Sequence, residues 1–278
     1  MKIVAGVKTV AEAETMLRLG ADELYGGLAA VPNHRLPAQS FSSVDEIVTV
    51  IKMAARRGRR FSLLLNQPSF GDRFARSVAL VKRLDAEGLG ACIVRELAML
   101  DALSRAGLKA RLTASSLALC YNLPSMRRLK EMGATRVVLP FHMAPDEARR
   151  LIANPFGMET EVFFHADFCC ANVDPVCRLW NLTHRDQTCR FSYTGPDGRW
   201  RMPEANAAEK MRSVYRFHHS GAGYLKIIRM NDFRDEMEVL KFSRLLTALL
   251  EKGTGEADFV RMGERLYSTV SRHAWIKR

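Results

Sequence analysis

Long apolar runs are missing from this 278-residue chain: none approaches the roughly 18–20 residues that span a bilayer as a helix. The opening stretch "MKIVAGVKTV" is followed by no small-residue cleavage site, so it reads as a first strand rather than a signal peptide. The expected location is therefore the cytoplasm, without a membrane partner. Pro/Gly/Ser linkers and low-complexity segments are also absent, so residues 1–278 read as a single domain. No glycine-rich phosphate fingerprint follows the first strand, which argues against a dinucleotide fold. Neither H-E-x-x-H nor a Ser-His-Asp motif is present. Cysteine is scarce, with six in the chain, yet four of them stand between positions 169 and 189.

Acidic residues are in deficit. The net charge is +12 and the sequence pI is near 9.7, a balance that favours a polyanionic partner. Much of the excess has a plainer reading. Arg56, Arg57, Arg59 and Arg60 close one expected helix, where the helix dipole favours cations. Arg127, Arg128 and Lys130 fit a solvated helix face.

Strand-like and helix-like periods alternate along the chain. The expected strands are 2–7, 21–27, 60–66, 90–94, 109–117, 135–141, 158–166 and 223–230. The expected helices are 11–20, 42–58, 73–88, 95–107, 122–133, 144–155 and 235–253, with a last one after Gly253. The 42–58 stretch opens on a Ser N-cap with an acidic first turn and closes on glycine. Eight strand–helix units in this length predict an α/β fold, a (β/α)8 TIM-like barrel. An irregular insertion, 167–222, separates the seventh and eighth strands, and connections of that length are commonly functional.

Such barrels carry their sites at the C-terminal ends of the strands. In "EVFFHADFCC", alternation turns Glu161, Phe163 and His165 inward if Val162 and Phe164 face the helices. Glu161 paired with an interior cation and His165 as a satisfied core residue is the plainer alternative. Tyr25, Asn66, Arg95, Ser115, Ser116 and His142 fall at other strand ends, with Lys226 and Arg229 on the eighth. Each has a turn or cap role open to it; together they suit a phosphate, carboxylate or nucleic-acid ligand. For Cys169, Cys170, Cys177 and Cys189, disulfides would need an oxidising compartment, and the paired C-x2-C spacing of common zinc sites is lacking. Spacing alone leaves metal ligation and free thiols open. Cys92, inside a strand, reads as a small buried apolar residue.

The same stretch resembles the U-32 family of collagenase-like peptidases. Glu161 and Phe163 match that family's Glu-x-Phe, and Cys170 to Cys177 keeps its seven-residue step. "RDQTCR" resembles its Arg-Gly-x-Cys segment. "GADELYGG", "SFS", "LLLNQP", "TASSLALCYN", "GATRVVLP" and "GYLKIIRM" resemble further segments, over about residues 1–250. Members include iron–sulfur proteins that hydroxylate tRNA, ribosomal RNA or quinone precursors without molecular oxygen, with prephenate implicated as donor. The resemblance implies a 4Fe–4S cluster held by cysteines, with zinc as the lesser alternative. It departs in places. Ala166-Asp167 replaces a glycine with one residue inserted, so Cys169 or Cys170 is the equivalent ligand; Phe141-His142 stands where the family often has Arg-Glu. The family's last cysteine is missing, which leaves the fourth position to Cys169 with Cys170, to Cys120, to His165, or open.

The leading expectation is an iron–sulfur enzyme modifying RNA or a small aromatic molecule. Lys226 and Arg229 would hold carboxylates, Glu161 or His165 would move protons, and Tyr25, Asn66, Ser115, Asn122 and His142 would contact substrate. A peptidase, with Cys170 and His165 as a nucleophile–base pair, is one alternative. A non-catalytic RNA-binding or partner subunit is another, with Trp200 between Arg199 and Arg201 as a stacking contact. A homo- or hetero-dimer is compatible with each.

Overall fold

The computed structural model describes residues 1–33, 35, 37–164, 193–200, 206–228 and 233–274, with the side chains of 193, 200 and 268–274 outside that description. The strands are β1 (Lys2–Gly6), β2 (Glu23–Gly26), β3 (Arg60–Leu65), β4 (Ala91–Val94), β5 (Arg111–Ala114), β6 (Ala134–Val138), β7 (Glu159–Phe164), β8 (Tyr193–Gly195), β9 (Gly198–Trp200) and β10 (Tyr224–Ile227). The helices are α1 (Val10–Arg18), α2 (Val44–Arg56), α3 (Asp72–Ala86), α4 (Leu97–Arg105), α5 (Leu123–Glu131), α6 (Pro145–Ile152), α7 (Ala207–His219), α8 (Phe233–Glu251) and α9 (Glu256–Ala274).

Eight strands pair in parallel and close in the order β1-β10-β7-β6-β5-β4-β3-β2, while β8 and β9 form a separate antiparallel hairpin. This is the (β/α)8 barrel that the alternation predicts. Each strand turns alternate residues outward into the helix layer. Ile3 and Ala5, Phe61, Leu63 and Leu65, Cys92 and Val94, and Val162 and Phe164 all join the main apolar core on that side. The helices meet them with apolar stripes. In α2, Ile47, Val50, Ile51 and Ala54 are buried, at i, i+3, i+4 and i+7. Fully burying each of the three larger side chains contributes about 1.5–3 kcal/mol. Ser43 and Glu46 start that helix with a reciprocal capping box.

The connection from β7 to β10 is more regular than the sequence reading allows. It ends in α7, an ordinary crossover helix. Asn206 and Glu209 cap it reciprocally, and Met211, Val214 and Phe217 form its buried stripe. The last helix, α9, packs on α7 and α8 and buries Phe259 and Val260. No helix among the described residues is long and apolar enough to cross a membrane.

Candidate active site at the barrel mouth

The axis-facing side of the strands is charged as well as apolar. Val4, Tyr25, Leu64, Ile93 and Tyr224 form a small apolar cluster there. Threaded through it is a ladder of ionised groups contributed by β2, β6, β7 and β10, at the same alternate positions that face the axis.

Arg136 on β6 is the hub. Its guanidinium donates to both oxygens of Glu23 at 2.7 and 3.1 Å, to Glu161 Oε2 at 3.1 Å and to Glu159 Oε2 at 3.3 Å. It also lies 3.4 Å from the ring centroid of Tyr224, whose hydroxyl donates to Glu159 Oε1 at 3.0 Å. Glu161 Oε1 accepts a 2.7 Å hydrogen bond from Lys226 Nζ. Glu23, Arg136, Glu161 and Lys226 are each at most 5% exposed. Removing a charge from water is costly, so these groups persist as ions only because each is paired and hydrogen-bonded.

The pairing sets the titration of the ladder. Burial opposes ionisation of Glu161, but Lys226 and then Arg136 outweigh it and hold its carboxyl below the ordinary value. Burial also opposes the charge on Arg136, and Glu23 and Glu161 overcome it. For Lys226 burial wins: its ammonium is lowered, with Glu161 opposing and Arg136 and Arg35 assisting. The partners of one ion pair thus respond unequally. Glu161 is flanked by two cations, whereas Lys226 has one carboxylate and two neighbouring cations. We take the ionised state of Glu161 as the firmer of the two.

Lys226 Nζ lies 4.0 Å from the centroid of the Tyr25 ring, and the Arg35 guanidinium lies 4.8 Å from it. The Tyr25 hydroxyl donates to the Ile227 carbonyl at 2.8 Å, which fixes the ring across the top of β1. Lys226 is in register with Phe163 on β7. The Phe163 ring stacks on Phe141, which follows β6, with centroids 3.8 Å apart and planes 23° apart. One part of the mouth is therefore cationic and the part adjoining it is aromatic.

Of the residues singled out in the sequence, this arrangement brings together Tyr25, Glu161 and Lys226. Others serve the backbone. Ser115 caps a short 3-10 turn by accepting from Leu117 N, and Asn122 caps α5 by accepting from Ser125 N at 2.9 Å. Asn66 is half-buried just past β3. His142 is exposed against Tyr121, with ring centroids 5.6 Å apart. Cys120 is buried in the apolar layer, its Sγ 3.9 Å from the Asn122 carbonyl, and burial pushes its thiol up to about 11. Cys92 is likewise buried among outward-facing apolar residues, with its thiol raised by burial. His165, Cys169, Cys170, Cys177, Cys189 and Arg229 lie outside the described residues, as does the Trp200 side chain. Among the described residues no cluster of His, Cys, Asp and Glu is arranged to hold a metal ion.

Sequence reasoning passed over Glu23, Arg136, Arg35, Phe141 and Phe163 as site residues. Glu23 and Arg136 did carry a signal: each is a charge inside an apolar strand, at a position of the same parity as Tyr25 and Val138. Arg35 and the Phe141–Phe163 stack carried none, because their contacts join residues far apart in the chain.

Closed barrel, parallel strands and a mouth at the strand C-termini define a (β/α)8 barrel protein. The model of Peptidase family U32 matches residues 8–273, and the chain belongs to that family. A solved U32 peptidase structure is similar at a TM-score of 0.53 and 10% identity, over 84% of this chain and 94% of that one. A putative dihydrodipicolinate synthetase from Pseudomonas aeruginosa aligns at a TM-score of 0.58 and 9% identity, over 96% of this chain and 80% of that one. A dihydrodipicolinate synthase from Agrobacterium tumefaciens str. C58 aligns at 0.54 and 12% identity, over the same shares of the two chains. At these identities the likeness carries the fold alone. No curated protein matches the sequence.

Proposed function

We propose that the chain is a cytoplasmic iron–sulfur enzyme that modifies RNA or a small aromatic substrate without molecular oxygen. The observation that supports this reading is where the cysteine-rich connection begins. It follows Phe164, on the strand that carries Glu161 and beside the strand that carries Lys226. The donor set suits the group chemically. Cys169, Cys170, Cys177 and Cys189 would supply thiolates, the ligands such clusters take. Cys120 suits it poorly, since a buried thiol with a raised pKa resists ionisation. When bound, the cluster would supply an electron-transfer centre and a Lewis-acidic iron.

The chain's own residues would orient what meets it. Lys226, with Arg229, would hold the carboxylates of an oxygen-bearing co-substrate. Glu161 would keep the Lys226 ammonium in place through its 2.7 Å hydrogen bond. His165 would take or give a proton near ambient pH. Purification without oxygen should give a brown protein with about four irons per chain, and Cys177→Ala should lower that content. A colourless, iron-free wild-type protein from the same preparation overturns the reading.

A further inference from the structure

The end of the barrel opposite the mouth holds a cavity of about 240 Å³ beside the starts of β1, β7 and β10. That is smaller than the roughly 300–1,000 Å³ of sites that take drug-sized ligands, so it suits one small molecule. Lys2, Glu159 and Tyr224 line it as the first residues of their strands, together with Ile152, Met158 and Gly223. Lys2, Arg60, Arg111 and Glu159 open β1, β3, β5 and β7, and alternation turns all four toward the axis as its lowest layer. The two arginines are already committed to carboxylates: Arg111 donates to Glu159 Oε2 at 3.2 Å, and Arg60 lies 3.8 Å from Glu23. Lys2 is not. Among the described residues its exposed ammonium meets only the Tyr224 ring, 5.5 Å from the centroid. In the same cavity Glu159 Oε1 accepts one hydrogen bond, from the Tyr224 hydroxyl at 3.0 Å, and the Glu159 side chain is 37% exposed. An ionised carboxylate oxygen can accept two, so one position on Oε1 remains.

We propose that this cavity is a binding site for a free amino acid with an apolar side chain. The α-carboxylate accepts from Lys2 Nζ, the α-ammonium donates to Glu159 Oε1, and the side chain packs on Ile152 and Met158. Few placed polar groups beside apolar surface are the usual make-up of a small-molecule site. The inference does not depend on how the mouth is read, because the cavity lies at the other end of the strands. A plain anion is the nearest alternative, since three of the four floor residues are cations. It fits less well: it would satisfy Lys2 alone, and it would share a small cavity with a carboxylate that repels it. A zwitterion satisfies both charges. Its ammonium would also touch the lowest member of the ladder that runs from Glu159 through Arg136 and Glu161 to Lys226.

The test is calorimetric titration of the full-length protein with four probes: L-leucine, 4-methylpentanoate, 3-methylbutylamine and inorganic phosphate. The second lacks the ammonium of leucine and the third lacks its carboxylate. Leucine should bind most tightly, and each truncated analogue about tenfold more weakly. Lys2→Met should weaken leucine about tenfold and leave 3-methylbutylamine, which lacks the group that Lys2 holds, unchanged. Gly223→Leu should abolish binding by filling the cavity. A Cβ at Gly223 would meet only the Thr160 carbonyl, at an ordinary 3.8 Å, so the added side chain leaves the sheet in place. Thermal melts establish that each variant is folded, and Ile152→Trp replaces Gly223→Leu if that variant fails to fold. Phosphate or 4-methylpentanoate binding as tightly as leucine, no binding of leucine, or folded variants that bind leucine as the wild type does would each overturn the proposal.

Discussion

Glu161 touches two cations at once, and its environment turns a buried carboxylate into a structural requirement. Replacing it with glutamine leaves Lys226 and Arg136 with one uncompensated positive charge inside the barrel. Loss of one partner from a buried pair costs about 3–5 kcal/mol. Glu161→Gln should therefore lower unfolding stability by about 3 kcal/mol in urea at neutral pH. The pH dependence has a definite sign. Because the folded carboxyl titrates below its unfolded value, its contribution is complete above about pH 4.3 and is lost as pH falls through the lowered folded value. Acid unfolding of the variant should show a shallower loss of stability below that pH than the wild type. A variant with wild-type stability and an unchanged acid limb would show that the ladder is energetically idle. Glu161 facing an interior cation was legible in the sequence, as a charge within the strand "EVFF". Its partner Arg136 was legible only as an inconsistency, an arginine in "TRVVLP", because which charges face one another depends on how neighbouring strands are staggered.

Whole elements were easier to read than individual contacts. Seven of the eight barrel strands lie within a stretch that the sequence pattern marks as extended and β6 starts one residue before its own, since buried parallel strands are short apolar runs set between amphipathic helices. The exception was α7, which "NAAEKMRSVYRFHH" encodes with a capping box and an apolar stripe. It was hidden because the cysteine-rich segment before it draws the eye to irregular structure. The cap offers a local test. Asn206 accepts from Glu209 N at 2.9 Å while Glu209 Oε2 accepts from Asn206 N at 2.8 Å. Asn206→Ala should destabilise the protein by about 1 kcal/mol, read as a shift of the urea midpoint. No shift would mean that packing against α9, rather than the cap, sets where the helix begins.

At the scale of the molecule the charge is polarised along the barrel axis. The first turns of α1, α2, α3, α6, α7 and α8 carry Asp or Glu, and these ends sit at the mouth. The last turns of α1, α2, α3, α4, α5 and α6 carry Arg or Lys towards the opposite end, although Arg83 of α3 still reaches Asp45 in the first turn of α2 at 3.9 Å. Each arrangement complements the helix dipole. Much of the +12 charge is thus an end-effect of a barrel whose helices α1–α8 run one way, while α9 returns against α7. A generic polyanion should engage the end away from the mouth. Arg56 and Arg57 are exposed there, and Arg57 lies 4.0 Å from Glu14. Reversing both, as Arg56→Glu with Arg57→Glu, should bring elution from a heparin column to lower salt, whereas Arg35→Gln should leave it nearly unchanged. The opposite order would place the polyanion at the mouth. Cys169, Cys170, Cys177 and Cys189 have no counterpart in this kind of reasoning, because they lie outside the described residues.

Gly6, at the end of β1, has ordinary extended backbone, and what distinguishes it is size. A methyl group there would come within 2.9 Å of the Arg35 guanidinium and 3.2 Å of the Tyr25 ring. The missing side chain is therefore a mould: it leaves the hollow in which a phenol from one strand and a guanidinium from the following loop come to rest. A single added carbon would leave the strand's backbone conformation unstrained yet push the guanidinium aside and crowd the ring, so architecture and recognition part company at one atom.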